Sequence, residues 1–236
     1  MSETQQAITY AGESIPFHLS YSNRKSIEIA VHPNGLVTVK APLETDKNLI
    51  ERRVYKRARW IRRQLRYFAQ FDPRTPERRF VGGESHLYLG KKYRLKIRQA
   101  ETDKVLLKQG FFHIATGNNE PEHIAMLLEE WYRSKANIYF SKVFEECWRS
   151  FQKKGVNKPI LKIRNMKTRW GSLSSRGSLT LNLDLIKAPR ECIEYVVIHE
   201  LCHLFHFNHG AEFYNLLERM LPDWIKRKHK LETALS

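Results

Sequence analysis

The stretch Ile198-His199-Glu200-Leu201-Cys202-His203 decides how the rest of the chain is read. On an α-helix, residues four apart lie about 40° apart around the axis and one turn apart along it, so His199 and His203 can aim their imidazoles at one ion. Glu200 directly follows the first histidine, which suits a general base that takes a proton from a metal-bound water without itself being a ligand. Upstream, Ala188-Pro189-Arg190-Glu191 predicts a helix start, with proline at the first helical position and an acid in the first turn. Along that helix Ile193, Val197, Leu201 and Leu204 form an apolar stripe, His199 and His203 fall together on another face, and Glu200 lies between the two. A carboxylate on the edge of a packed stripe destabilises the fold unless something compensates it, and a metal-bound water is a good partner.

Catalytic zinc usually keeps three protein ligands and an open position, so a third donor is sought downstream. If the helix ran on, His206 would share a face with His199 but lie about 10 Å further along the axis, too far to converge. His209 is better placed: it follows Phe207-Asn208 and precedes Gly210, and Asn and Gly tolerate the left-handed turn that ends a helix. The spacing from His203 to His209 equals that of the metzincins, although the glycine those enzymes use is His206 here. Glu212 and Glu218 are weaker candidates.

Beyond the motif, the chain carries Lys167-Thr168-Arg169-Trp170-Gly171-Ser172, Leu181-Asn182, Ala188-Pro189, Val196-Val197-Ile198-His199-Glu200-Leu201, Asn208-His209 and Leu221-Pro222-Asp223-Trp224. In these residues it resembles the YgjP-like metallopeptidases, compact zincins related to the SprT-type proteases. The resemblance implies zinc held by His199, His203 and His209, with Glu200 catalytic, and it extends upstream into a β-rich, basic N-terminal part. Two positions depart from the family's pattern. Leu173 stands where cysteine is frequent, which argues against a ligand there, and Glu212 stands where a basic residue is common, which bears on how substrate is received.

Composition sets the bounds. A chain of 236 residues with 42% hydrophobic content can bury a substantial core as one or two domains. Cys147, Cys192 and Cys202 are a sparse, odd set without paired ligand spacing, so reduced thiols and a cytoplasmic protein are expected. No run approaches a membrane span, and the polar start Met1-Ser2-Glu3-Thr4-Gln5 does not read as a signal peptide. The net charge of +16 favours anionic partners, nucleic acid among them, though acidic proteins and simple solubility explain it equally well.

In chain order, Ser26–Val31 and Leu36–Val39 predict a hairpin through Pro33-Asn34-Gly35. Pro42 and Thr45 introduce a long helix to about Phe71, apolar at Ile50, Val54, Ala58, Ile61, Leu65 and Phe68, and ended by Pro73 and Pro76. Its opposite side is densely basic: Arg53, Arg57, Arg62 and Arg66 are candidates for polyanion contact, the alternative being a solvated face partly paired with acids. Residues 80 to 116 return to short strands, and Pro121 starts a helix reaching about Lys154 and ended by Gly155. Strands at 160–163 and 178–183 flank Arg169-Trp170-Gly171-Ser172, and 178–183 is the candidate edge strand to which an extended peptide would add. Lys226–Lys230 reads as a solvated basic tail. No internal repeat is visible.

The sequence therefore predicts an α+β protein with a β-rich N-terminal part over 1–117, carrying the basic helix, and a zincin-like metallopeptidase domain over 118–236. The expected function is zinc-dependent hydrolysis of peptide bonds in peptide or protein substrates through a zinc-bound water activated by Glu200. Arg169 and Tyr214 are candidate substrate or oxyanion contacts, Arg169 being also readable as a structural ion-pair partner. The alternative function is a nucleic-acid-associated protein, a DNA-linked protease included, in which the zinc site is structural or accessory. No membrane association is expected.

Overall fold

A computed structural model describes residues 4–24, 26–32, 35–69, 78–152, 155–167 and 169–235, with the backbone alone for 67 and 68. Of the positions read above, Pro33, Asn34, Phe71, Pro73, Pro76, Lys154, Thr168 and the Phe68 side chain lie outside the described residues. The chain forms two compact units, 1–75 and 76–235, so the α+β class holds but the division does not fall near Asn118. The strands between 85 and 116 contribute Leu95, Phe112 and Ile114 to the same core as the helices that follow them, and a shared core cannot be a boundary.

The first unit contains strands β1 (Thr4–Tyr10), β2 (Glu13–Ser22), β3 (Glu28–Val31) and β4 (Val37–Pro42), then helix α1 (Lys47–Ala69). The sheet order is β1-β2-β4-β3, with β2 parallel to β4 and the outer pairs antiparallel. The expected pairing of β3 with β4 is present. Alternate residues Ile15, Phe17 and Leu19 of β2, with Val37 and Val39 of β4, turn to one face. That face is covered by Ile50, Val54, Ala58 and Ile61 of α1, all fully buried.

The second unit opens with the same order of elements. Strands β5 (Ser85–Tyr88), β6 (Lys91–Gln99), β7 (Lys104–Lys108) and β8 (Phe111–Thr116) are ordered β5-β6-β8-β7, again with a parallel central pair and antiparallel outer pairs, and are followed by helix α2 (Pro121–Trp148). The first hairpin turns, Ala11-Gly12 and Leu89-Gly90, both place two successive residues at positive φ, the two-residue geometry that suits strand twist. A four-strand-plus-helix pattern thus occurs twice. It is absent from the sequence reading because the two copies share connectivity and apolar spacing more than residue identities.

Helix α2 begins at Pro121 as expected but ends at Trp148, where Ser150 and Phe151 donate their amides to the Cys147 and Trp148 carbonyls. Phe151, fully buried, turns the chain back into the core before Gly155 is reached. Strands β9 (Ile160–Arg164), β10 (Gly171–Leu173) and β11 (Ser178–Asn182) form a second sheet ordered β10-β11-β9. The expectation that 178–183 is an edge strand is therefore corrected: β11 is central, paired with β10 on one side and β9 on the other. A 3-10 turn, Leu183–Lys187, leads into α3 (Arg190–Cys202), then α4 (Ala211–Met220) and α5 (Trp224–Ala234).

The basic segment 226–230 is also not a free tail. It lies in α5, with Leu231 buried, Arg227 bound to Glu194 at 2.7 Å and Lys230 bound to Glu191 at 2.5 Å. Both acids belong to α3, so the ion pairs fasten α5 to the helix that carries the histidines. Among the described residues, no helix is long and apolar enough to cross a membrane. The three cysteines are buried.

Candidate metal centre

Helix α3 is set from both ends. At its start Pro189 occupies the cap position, one residue earlier than the sequence suggests, and the Leu89-Gly90 turn donates both amides to the carbonyls of Ile186 and Lys187 at 2.9 Å. A side chain at Gly90 would meet Pro189 Cγ at 2.7 Å, so glycine permits this docking. Cys192, Ile193, Val196, Val197 and Leu201 anchor α3 in the core. At its other end the helix stops at Cys202 and tightens: Leu204 and Phe205 donate their amides to the carbonyls of Leu201 and Cys202. The expected left-handed exit at Asn208-Gly210 is not used, since Gly210 has φ −85° and ψ −176° and Asn208 is not among the residues of positive φ. The chain turns earlier than the Asn-Gly signal implied, yet still brings His209 back over the helix.

His199, His203 and His209 converge, with one potential donor atom from each lying within 4.8 Å of the others. Nε2 of His199 and Nε2 of His209 are 3.0 Å apart. Nitrogens bound tetrahedrally to one zinc stand roughly 3.4 Å apart, a separation between those two figures, so the donor set fits a single ion. The ring hydrogen-bonding agrees with that use. His203 Nδ1 is 2.9 Å from the His206 carbonyl and donates to it, which leaves Nε2 as the lone-pair donor. The Phe213 ring, fully buried, packs against all three imidazoles at centroid distances of 4.6 to 5.0 Å. Burial pushes His199 down to about 3, aided by the neighbouring His209 and His203, and His209 is lowered by burial and by His203. Neutral imidazole is the form a metal requires.

The Glu200 side chain reaches β10, where it lies against Gly171 and accepts from the Leu173 amide. It is 6% exposed, and burial pushes its carboxyl up to about 7 against the opposing pull of the Leu173 amide hydrogen bond and the Arg169 charge. The approach is close because residue 171 is glycine: a Cβ there would fall 2.7 Å from Glu200 Cγ and 2.8 Å from Oε1. β10 is the outer strand of its sheet, so a strand with an open side lies directly against the carboxylate.

The remaining expected site residues separate. Arg169 is exposed, forms no ion pair among the described residues, and has its carbonyl held by Asn182 Nδ2 at 3.1 Å. The Tyr214 ring, 39% exposed, stacks on Trp224 and lies 6.2 Å from that of His209. His206 and Glu212 face each other at 3.5 Å outside the cluster, and Glu218 is exposed on α4. Arg53, Arg57 and Arg66 are exposed on α1 in the first unit, whereas Arg62 is engaged by Glu13 at 2.7 Å. Sequence reasoning missed three residues. Phe213 reads as ordinary helix packing, and the contacts of Gly171 and Leu173 with Glu200 depend on how β10 lies on α3, which no local pattern encodes.

No curated protein sequence matches this chain. Crystal structures of two metallopeptidase zymogens, abylysin of Pyrococcus abyssi and jannalysin of Methanocaldococcus jannaschii, are similar to part of it, at 22% and 23% identity and a TM-score of 0.37 each. Each similarity covers 41% of this chain, with 94% of abylysin and 97% of jannalysin. The model of the YgjP-like metallopeptidase domain matches residues 25–234, almost the full length described above, and the chain therefore belongs to the YgjP-like metallopeptidase family.

Proposed function

We propose that this metallopeptidase is a zinc enzyme in which His199, His203 and His209 hold the metal and Glu200 carries the proton. One observation supports this reading above the others: three imidazoles converge on one point, and the carboxylate next to His199 in the chain is buried and not itself part of their cluster. Bound zinc would lower the pKa of a water toward neutrality and polarise a carbonyl. Glu200, oriented by the Leu173 amide, takes the proton released as the peptide carbonyl is attacked and returns it to the departing nitrogen. Its raised pKa suits both tasks near neutral pH. The open side of β10 replaces 178–183 as the strand along which an extended peptide is laid. Arg169 and Tyr214 are the side chains assigned to the developing oxyanion. In the test, Glu200→Gln retains zinc and loses hydrolysis of a peptide library. Turnover retained by that variant would contradict the mechanism.

A further inference from the structure

Helix α1 carries a feature that peptide hydrolysis does not use. Between residues 52 and 66 the exposed positions are Arg52, Arg53, Tyr55, Lys56, Arg57, Arg59, Arg63 and Arg66, so every one except Tyr55 is cationic. None of the seven cations forms an ion pair among the described residues; the nearby pairs are Arg62 with Glu13 and Arg24 with Glu28. Among the described residues, the alternative reading of this face, a solvated surface partly neutralised by acids, finds no acid paired with these seven cations. Arg52, Lys56, Arg59, Arg63 and Arg66 follow one another at steps of four and three, which sets one cation per turn along about 21 Å of helix within an arc of about 80°. Beside this row a groove of about 830 Å³ is lined by Arg57, Arg63 and Arg66 together with the rings of Trp60 and Tyr10. Tyr55, 53% exposed, stands edge-on to Tyr10.

We infer that the outer face of α1 binds a single strand of nucleic acid. A regular cationic row tracks a phosphodiester backbone, and aromatic rings beside it provide surfaces on which unpaired bases stack. Duplex DNA fits less well, because its stacked bases offer no open faces to the exposed Tyr55 ring or to the Trp60 and Tyr10 rings of the groove. A membrane fits less well because the apolar side of α1, Ile50, Val54, Ala58 and Ile61, is already used in the core of the first unit. The exposed groups present donors and π faces, which phosphates and bases offer alike in DNA and RNA, so the partner is defined by being single-stranded.

The test is fluorescence anisotropy with labelled oligo-dT and oligo-U of twenty nucleotides, titrated with the full-length protein at several salt concentrations. Both strands are expected to bind within a few-fold of each other and more tightly than a duplex or an anionic phosphatidylserine vesicle. Arg57→Ala/Arg63→Ala/Arg66→Ala should weaken binding at least about tenfold and reduce the slope of log affinity against log salt by about 2, at roughly 0.7 per lost phosphate contact. Tyr55→Ala should weaken binding roughly tenfold with an unchanged slope, the mark of stacking. Lys91→Ala/Lys92→Ala/Lys104→Ala, which removes three exposed charges from the second unit, should leave binding within twofold. Equal losses from both triple variants, no loss from the α1 variant, or preference for duplex or vesicle would overturn the proposal. Peptide hydrolysis plays no part in the measurement, so its outcome is separate from that of the proposed function.

Discussion

The two four-strand-plus-helix patterns follow one path and end in helices of opposite character. In α1 the residues that reach the core, Ile50, Val54, Ala58 and Ile61, stay within about 80° of one another around the axis. In α2 the buried positions Ile124, Leu128, Tyr132, Ala136, Phe140, Phe144 and Trp148 advance in steps of four, so the buried face swings through about 240° from one end to the other. The reason is what each helix must cover. Helix α1 packs on one sheet within its unit, whereas α2 meets the β5–β8 sheet near its start and then passes α3, the 3-10 turn and β9. A helix covered from one side is free to be cationic along the whole of the other; in a helix covered from successive sides the exposed face winds round with the buried one. The same connectivity therefore supplies a charged surface in the first unit and a scaffold for the candidate metal centre in the second.

The largest expected effect strains that contrast directly. Ala136→Arg places an unpaired charge in the fully packed side of α2 and should destabilise the second unit by more than about 3 kcal/mol, while Arg59→Ala on α1 should change stability by no more than about 0.5 kcal/mol. Urea denaturation of both variants decides it, and comparable losses would mean that the two helices are not covered differently.

Buried polar groups in the second unit should respond to pH. The Glu200 carboxyl is raised from 4.5 to about 7, so its burial is without penalty below pH 4.5 and its full cost, about 3 kcal/mol, is reached above pH 7. With metal removed by a chelator, Glu200→Gln should be more stable than wild type by up to about that amount at pH 8, and the gain should largely vanish by pH 5. A pH-independent difference would show that the carboxylate is solvated. Gly171→Ala should destabilise by about 1–3 kcal/mol and impair hydrolysis, because its methyl would displace Glu200 from β10; unchanged activity would separate the strand from the reaction.

The smallest effect concerns His86. It is 5% exposed, bonded to Glu84 at 2.9 Å, and lowered by burial below its ordinary 6.5. The unfolded chain takes up a proton that folded His86 resists, so stability falls as pH drops through 6.5 toward the folded value. Glu84, held below 4.5 by the Arg79 and Phe80 amides against the upward push of burial, loses its contribution only at lower pH. The melting temperature of His86→Gln should fall less between pH 7.5 and 5 than that of wild type, and parallel curves would remove His86 from the account.

Legibility followed the range of the interactions involved. The placement of His199, Glu200 and His203 on one helix and the amphipathic α1 were readable because each depends on helical spacing within a few turns. His209 was readable from its spacing to His203, although the expected left-handed turn is not how the chain delivers it. The edge strand was misassigned because strand order is a long-range property: β10, only Gly171-Ser172-Leu173, has no alternation from which a strand can be read, and pairing with β10 on one side and β9 on the other makes β11 central. The division between units was misplaced for a related reason, since strands 85–116 look N-terminal in character while their apolar residues pack with α2 and α3. The ion pairs that dock residues 227 and 230 on α3 are likewise invisible in a run of like charges.

The most direct test of the central claim is zinc content per chain after dialysis, measured on wild type, His209→Ala and His206→Ala. The account predicts about one zinc in wild type and in His206→Ala, whose backbone carbonyl still anchors His203, and clear loss in His209→Ala. Folded wild-type protein that takes up no zinc on reconstitution, or a His209→Ala variant that retains it fully, would contradict the three-histidine centre.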